Sequence, residues 1–350
     1  MENLKKSGHK TVNDVAKLAG VSPSTVSRVI SNNPKISEAT RVRVLQCMEE
    51  LGYYPNAIAR SLASKKTGTI GVIMPTRADD LFLNPFFPEA LRGIVKGASK
   101  AGYDLLLSTN TEKDDELKIV KNFIRGSKVD GIILMSSKVD DECVDFLRHV
   151  DFPFALIGST FKFDDTINHV DNDNYMAAYE LTRYLSSIGR KLIAMIGGEE
   201  NLTVTQKRIE GYRKALVESN LPFAQELLFT GSFDEQTGYK YGTEISKMVP
   251  RPDALIVTDD LIAFGAVKVF RFLSISIPEE IAIASFNNSV LSRYAETPLT
   301  SVDINPMALG EGSVKVLIEA MNGVRGKKMI IPYTIHRRQS TEGKTTHNFK

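Results

Sequence analysis

The chain has 350 residues, of which 42% are hydrophobic and 25% charged, and its formal net charge is +2. This length predicts two or three domains at roughly 100–200 residues each, and the composition excludes a largely disordered chain. The apolar runs are no longer than strands and residues 1–10 are polar, which predicts no membrane contact and no secretion signal. The two cysteines are far apart in sequence, which predicts no disulfide framework and no metal site. We therefore expect a cytoplasmic protein.

The positive charge is concentrated at the start of the chain. Residues 1–67, which we call the head, hold 11 Lys and Arg against 5 Asp and Glu. The other 283 residues, the body, hold 33 against 37. A basic head on a mildly acidic body indicates that the head binds a polyanion, although charge alone leaves open a solvated basic terminus.

Three helices are predicted in residues 1–55. Thr11 followed by Asp14 resembles a capping box, and Ser22 with Pro23 begins a second helix after a glycine turn. Ser37 caps a third helix, which runs to about residue 51. Two short helices joined by a tight turn and packed by a third form a helix-turn-helix pattern, which predicts a DNA-binding domain.

The second of these helices carries the residue types that DNA recognition needs. In a helix-turn-helix, the amino-terminal residues of the second helix reach base edges in the major groove. Arg28 can donate to guanine O6 and N7 together, whereas a purely structural helix would more often carry Leu or Ala there. The expected contacts on this helix are small or polar side chains and one arginine: Ser22, Pro23, Ser24, Thr25 and Arg28.

From Thr69 onward, short apolar runs alternate with longer amphipathic stretches. The predicted strands are Thr69–Met74, Tyr103–Ser108, Gly131–Met135, Phe154–Ile157, Leu192–Ile196, Ala254–Val257 and Ile281–Ser285. Helices are predicted between and after them, from Phe87–Lys100 to Met307–Met321. This alternation predicts an α/β body, and the number of units exceeds one sheet, so we expect two doubly wound parallel-sheet lobes.

The head resembles that of the LacI/GalR family of transcriptional regulators. The resemblance rests on Thr11–Ala16, Ala19–Ser22, Thr25–Val29, Leu51–Asn56 and Ala59–Leu62, and in the body on Gly71–Ile73, Asp130–Ile133, Asp171–Asn172 and Arg208–Tyr212. It spans about residues 10–338. Three further segments are similar to the maltose-operon repressor subgroup: Asn84–Pro88, Val170–Asn174 and Val302–Asn305.

The resemblance implies a domain order. A helix-turn-helix domain at 1–55 is followed by a hinge helix and linker at 56–67, in which Leu62 wedges into the minor groove. Asn13 and Asn56 are further expected DNA contacts. The body at 68–338 should have the periplasmic-binding-protein fold, with lobe one at about 68–168 and 300–328 and lobe two at about 169–299 and 329–338. Residues 339–350 should form a flexible tail.

The resemblance also implies an effector held between the two lobes. Arg208 would clamp sugar hydroxyls, because a guanidinium offers several fixed donors. Asp259 ends a predicted strand, where acceptors face a crevice, and Asp260 would cap the helix that follows. Asn287 stands where the family usually has an aspartate. Three aromatic side chains either stack on a sugar face or pack in the core: Phe86, Phe87 and Phe233.

Enzyme signals are weak. The chain has no G-x-G-x-x-G, P-loop or G-x-S-x-G motif, and its five histidines occur singly, so we expect no catalytic residue, cofactor or metal. A transported-sugar receptor or a sugar enzyme would share the alternating body, but neither would carry this head. A catabolite-control regulator of the same family, acting with a phosphorylated partner protein, remains the alternative.

The expected assembly is a homodimer on a near-palindromic operator with half-sites about one helical turn apart. The last eleven residues lack the a/d apolar spacing of a tetramerising coiled coil. The expected effector is a small neutral sugar, maltose or a short maltodextrin. The choice of maltose rests on the resemblance to the maltose-operon repressor subgroup, and the candidate side chains of the effector site are compatible with it.

Overall fold

The computed structural model describes residues 10–31, 33–54, 66–77, 82–110, 116–162 and 165–342. The chain divides into two compact units, with the boundary between Thr67 and Gly68. These units are the head and the body, and each is described separately. Among the described residues, no helix combines the length and the apolar character that crossing a membrane requires.

The described part of the head contains three helices, α1 (Val12–Ala19), α2 (Pro23–Ile30) and α3 (Glu38–Leu51). Local capping fixes where each begins: Thr11 and Asp14 form the predicted capping box, and Ser22 and Ser37 cap the next two. Gly20 adopts φ of 63°, which lets the chain turn sharply after α1. The small core that joins the helices is apolar, with three fully buried valines, Val15, Val26 and Val44.

The body alternates strands and helices, as the sequence pattern predicts. The strands are β1 (Thr69–Arg77), β2 (Asp104–Asn110), β3 (Gly131–Leu134), β4 (Phe154–Ile157), β5 (His169–Asp171), β6 (Ile193–Gly197), β7 (Leu228–Thr230), β8 (Ala254–Val257), β9 (Ala282–Phe286), β10 (Thr300–Asp303), β11 (Lys328–Ile330) and β12 (Thr334–His336). The helices are α4 (Phe86–Ala101), α5 (Glu116–Arg125), α6 (Glu142–His149), α7 (Asn174–Ser187), α8 (Thr203–Glu218), α9 (Glu235–Ser246), α10 (Asp260–Phe272), α11 (Val290–Tyr294), α12 (Pro306–Met321) and α13 (Gln339–Glu342).

Two sheets organise these elements into two lobes. The first lobe has the strand order β11-β5-β4-β3-β1-β2, and all its pairings are parallel. The second has the order β12-β10-β9-β8-β6-β7, with β12 antiparallel to β10 at its edge. Central strands such as β3 and β8 are buried along their whole length, which explains their unbroken apolar runs. The predicted fold class is confirmed.

The chain crosses between lobes at different residues than the sequence analysis expected. The strand β5 pairs with β4, and β11 pairs with β5, so both strands belong to the first lobe. The ranges 169–299 and 329–338, which contain β5 and most of β11, were assigned to the second lobe. The strand β10 pairs with β9 in the second lobe, whereas 300–328 was assigned to the first. These strands are three or four residues long and two of them end in aspartate, so no apolar run marks them.

The expected flexible tail at 339–350 is partly wrong. The short helix α13 docks on the second lobe, with Ser340 fully buried and Thr341 nearly so. Ser340 Oγ donates to Ile283 O at 2.6 Å and accepts from Thr300 N at 2.8 Å, so a serine side chain pairs backbone groups of the sheet. Residues 343–350 lie outside the described part of the chain.

Candidate functional site

The first turn of α2 presents hydroxyl groups on the surface of the head. Ser22 Oγ caps the helix by accepting a hydrogen bond from Thr25 N at 3.2 Å. The same oxygen lies 2.8 Å from Ser24 Oγ and 2.9 Å from Thr25 Oγ1. Ser22, Pro23 and Ser24 are exposed, and Thr25 is half-buried. An exposed helix start with hydroxyl donors is suited to contacting DNA phosphates.

One arginine extends from the same helix into solvent. Arg28 is exposed, and its guanidinium forms no hydrogen bond or ion pair with any other described residue. The neighbouring Val26 and Val29 are buried in the head core, which orients the opposite face of α2 outward. Asn13 on α1 is also exposed. Outside the described residues lie the predicted hinge helix at about 56–64 and its two expected contacts, Asn56 and Leu62.

A buried carboxylate stands at the junction of the two lobes. Asp259 follows β8 and accepts three hydrogen bonds, from Leu261 N at 2.7 Å, Asn84 Nδ2 at 2.9 Å and Asn287 Nδ2 at 2.7 Å. Asn84 belongs to the first lobe and Asp259 to the second, so this bond crosses between lobes. An amide at position 287 donates to Asp259, which an ionised aspartate at that position could not do.

Arg208 is buried in the same region of the second lobe. Its Nε donates to Asn174 Oδ1 at 2.9 Å and its Nη1 to Thr258 O at 2.7 Å. The guanidinium carbon lies 4.0 Å from the centre of the Phe286 ring, a cation–π contact. Nη2 has no hydrogen-bond partner among the described residues. It therefore keeps donors available for a ligand.

Burial dominates the electrostatics of this cluster. Removal from water raises the pKa of Asp259 to about 7, against the opposing effects of its hydrogen bonds with Asn84 and Leu261 and the charge of Arg208. Burial also raises the pKa of Asp171, whose Oδ1 accepts a hydrogen bond from Asn174 Nδ2. Burial lowers the pKa of Arg208 to about 10, so the guanidinium stays protonated at neutral pH.

We expect the stability of the protein to depend on the protonation of Asp259. A carboxyl whose pKa is higher in the folded chain binds its proton more tightly there. Its contribution to the free energy of unfolding is therefore present below about pH 4 and lost as the pH rises through about 7. Relative to Asp259→Asn, the wild type should lose stability across this window with a slope of at most about 1.4 kcal/mol per pH unit.

Chemical denaturation of both proteins between pH 4.5 and pH 8 measures this slope. Asp151→Asn, which removes a carboxyl that is 85% exposed, is the matched control and should follow the wild type. Identical pH dependence of wild type and Asp259→Asn would contradict the assignment of the proton to Asp259.

The three predicted aromatic residues pack against the core to different extents. Phe86 and Phe87 are half-buried and meet edge to face, with ring centres 5.2 Å apart. Phe86 N donates to Asn84 Oδ1 at 3.0 Å. Asn84 in turn donates to Asp259, so Asn84 links Phe86 to the buried carboxyl. Phe233 is half-buried, and its ring covers the backbone of Gly198, directly after β6. All three pack on core clusters and retain partly exposed surface.

The expected role of Asp260 as a helix cap is wrong. Asp259 is the N-cap of α10, because its side chain accepts from Leu261 N. Asp260 is buried in the first turn, where its carboxylate accepts from Ser301 Oγ, Ser285 Oγ and Ser289 N. Asp260 links β9 and β10 through these hydrogen bonds instead of capping α10.

Sequence reasoning missed the partners of the predicted site residues. Asn84, Asp171 and Asn174 complete the hydrogen-bond network, and they occur in the segments that resemble the maltose-operon subgroup. The resemblance of those segments to the subgroup was the one sequence signal that could have indicated these residues. Within the described ranges, no His, Cys, Asp or Glu side chains group in threes in a way that could hold a metal ion.

Comparison with known sequences finds family matches in the head and in the carboxyl-terminal part of the body. The pattern of bacterial regulatory proteins of the lacI family matches residues 11–56, and that of the periplasmic binding protein-like domain matches residues 182–341. The HTH-type transcriptional regulator MalR of Streptococcus pneumoniae is 37% identical, over 91% of this chain and 95% of that protein. Catabolite control protein A of Priestia megaterium is 35% identical, over 95% of this chain and 99% of that protein.

Solved structures agree with this similarity. The complex of the transcriptional regulator CelR with cellobiose matches with a TM-score of 0.75 at 28% identity, over 95% of this chain and 99% of that one. A probable maltose operon transcriptional repressor malR from a Staphylococcus matches with a TM-score of 0.72 at 27% identity, over 80% of this chain and 99% of that one. The relatives are regulators of transcription and not enzymes. This chain belongs to the LacI family of bacterial transcriptional regulators.

Proposed function

We propose that this protein is a repressor that binds a near-palindromic operator as a homodimer and leaves it when a small neutral sugar binds between the lobes. The exposed arginine and hydroxyls of α2 support the DNA-binding part of the proposal. The buried cluster around Asp259 and Arg208 supports the effector part. A repressor of this kind would act in the cytoplasm, where the bacterial DNA lies.

The single observation that carries the DNA proposal is the exposed guanidinium of Arg28 on the second helix of a helix-turn-helix, which has no partner among the described residues. Arg28→Ala should weaken binding to the operator by about 1–3 kcal/mol and relax sequence preference at one base pair. Fluorescence anisotropy against the duplex that wild type selects from a random pool, and against its single-base variants, measures both effects.

Arg43→Ala, which removes an exposed arginine of α3 outside the recognition helix, is the control and should retain the base preference. An Arg28→Ala protein that discriminates each base pair as the wild type does would show that Arg28 reads no base.

The effector is proposed to be maltose or a short maltodextrin. Arg208 is the one buried cation that the described cluster offers, and the carboxyls of Asp171 and Asp259 lie close enough to influence its pKa. The phosphate of a phosphorylated sugar would be repelled by these carboxyls when they are ionised. A neutral sugar can instead pair its hydroxyls with the carboxylate, amide and guanidinium groups. The maltose operon named for the staphylococcal relative and the cellobiose of the CelR complex support a neutral glucoside.

Calorimetric titration of the full chain with neutral sugars and a sugar phosphate tests this proposal. Saturable heat with maltose or maltotriose is the expected result. Saturable binding of the sugar phosphate alone would refute it.

The 35% identity to catabolite control protein A favours a second candidate, a regulator that acts with a phosphorylated partner protein. Capture of that phosphoprotein by the operator complex would favour this alternative.

The homodimer is proposed to form through the body, at an apolar face of the second lobe. Four large side chains at the ends of α10 and α11 are exposed there: Phe272 by 87%, Tyr294 by 84%, Val290 by 63% and Leu291 by 57%. An ion pair between Arg271 and Glu296 joins the two helix ends, so these residues share one surface. A second copy of the chain would cover this apolar face.

A further inference from the structure

A groove lies at the edge of the junction between the two lobes, beside the buried cluster. Its volume is ≈ 510 Å³, and it is widely open to solvent. Two lining residues belong to the first lobe and four to the second: Val139, Phe161, Glu200, Asn201, Gln206 and Glu210. The groove lies near the carboxyl ends of β4 and β6, where ligands of open α/β sheets bind.

The walls of the groove are held in place by hydrogen bonds. Gln206 Nε2 donates to Glu200 O at 2.6 Å, which ties the loop after β6 to α8. Val139 N donates to Asn201 O at 2.8 Å, and this bond crosses between the lobes. A molecule in the groove would therefore contact both lobes and favour the arrangement in which these walls meet.

The exposed side chains combine an apolar ring with hydrogen-bonding groups. Phe161 is 46% exposed. Glu200 and Glu210 are exposed, and neither carboxylate forms an ion pair within the described ranges. Asn201 and Gln206 add amide groups. A sugar ring has an apolar face for the aromatic ring and hydroxyl donors for carboxylates, so this set suits a neutral saccharide.

The groove is separate from the buried cluster but shares a helix with it. Gln206 and Glu210 are four residues apart on α8 and line the groove together. Arg208 lies between them in sequence and points into the protein, where it is 4% exposed. The two sites therefore lie on different sides of one helical segment.

We propose that this groove is an outer saccharide site, separate from the site beside Arg208, which binds sugar units of a neutral oligosaccharide. This inference rests on the proposed function for the choice of glucose-based sugars. It implies that the protein binds longer maltodextrins more tightly than maltose, and that the added affinity comes from Phe161 and Glu210.

Titration calorimetry of the full chain with maltose, maltotriose, maltotetraose and maltohexaose tests the outer site. For the wild type we expect affinity to rise at least about tenfold along the series, as one or two added hydrogen bonds would produce. Phe161→Ala and Glu210→Gln should abolish this gain and leave maltose affinity within about twofold. Glu218→Gln, on α8 but outside the groove, should behave as the wild type.

The outcomes separate this proposal from the proposed function. Maltose binding with no gain along the series, or a gain that survives both groove variants, overturns the outer site alone. No heat with any sugar overturns both proposals. Binding of spermine that Glu210→Gln abolishes, with no length-dependent gain for sugars, would show that the groove is a site for organic cations.

Discussion

Replacing Tyr294 with aspartate is expected to convert the dimer into a monomer and to weaken operator binding by about 10²–10⁴-fold. Tyr294 is 84% exposed at the end of α11, within the apolar face that we propose to join two copies. In a symmetric dimer each copy contributes the same residue, so the substitution places two unpaired charges at the interface. A monomer presents one head, and the gain from binding two half-sites together is lost.

Sedimentation velocity and operator binding of the same samples measure both effects. Val217→Asp is the matched control, because Val217 is 65% exposed on α8, which packs on a different core cluster of the body from α10. It should stay dimeric and bind operator normally. A Tyr294→Asp protein that remains dimeric at micromolar concentration would show that the copies meet elsewhere.

Replacing Arg208 with alanine is expected to abolish the response to sugar while leaving the head able to bind operator. The substitution removes the available Nη2 donors and leaves Asn174 Oδ1 and Thr258 O without their hydrogen-bond donors. Sugar affinity should fall at least about 100-fold, and the free energy of unfolding by about 2–4 kcal/mol. Arg208→Lys keeps the charge but not the planar donor set, so it should lie between alanine and the wild type.

Denaturation measures the stability of each variant, and anisotropy with labelled operator, with and without sugar, measures its response. Arg208→Ala that releases operator at the same sugar concentration as the wild type would exclude Arg208 from the effector site. A folded variant that has lost operator binding in the absence of sugar would show that Arg208 maintains the DNA-binding state.

The three described helices of the head could be predicted almost to the residue because their signals are local. The caps Thr11, Ser22 and Ser37 each act on backbone groups within three residues, so the sequence alone specifies where helices begin. In the body, the buried central strands were predictable from their apolar runs. Short strands at or near the sheet edges, such as β5, β7 and β12, carry no such run and are specified by pairing with distant strands.

The site was predictable only in part because its network joins distant residues. Arg208, Asp259 and Asn287 were expected, and the structure places Asn287 in direct contact with Asp259. Asn84 is 175 residues from Asp259 in sequence, and Asn174 is 34 residues from Arg208. No local pattern indicates that an asparagine will meet a carboxylate or a guanidinium across such a separation. Only the packed lobes bring these groups together.

Selection of DNA from a random duplex pool by the full-length protein, followed by titration of the selected duplex with maltotriose, tests the proposed repressor most directly. We expect a near-palindromic sequence with half-sites about one helical turn apart, bound with a steep negative dependence on salt. Maltotriose should lower the affinity for this duplex at least about tenfold, since a ligand shifts binding by its differential affinity for two states. Equal binding of selected and scrambled DNA at physiological salt, or binding that no neutral sugar changes, would contradict the proposal.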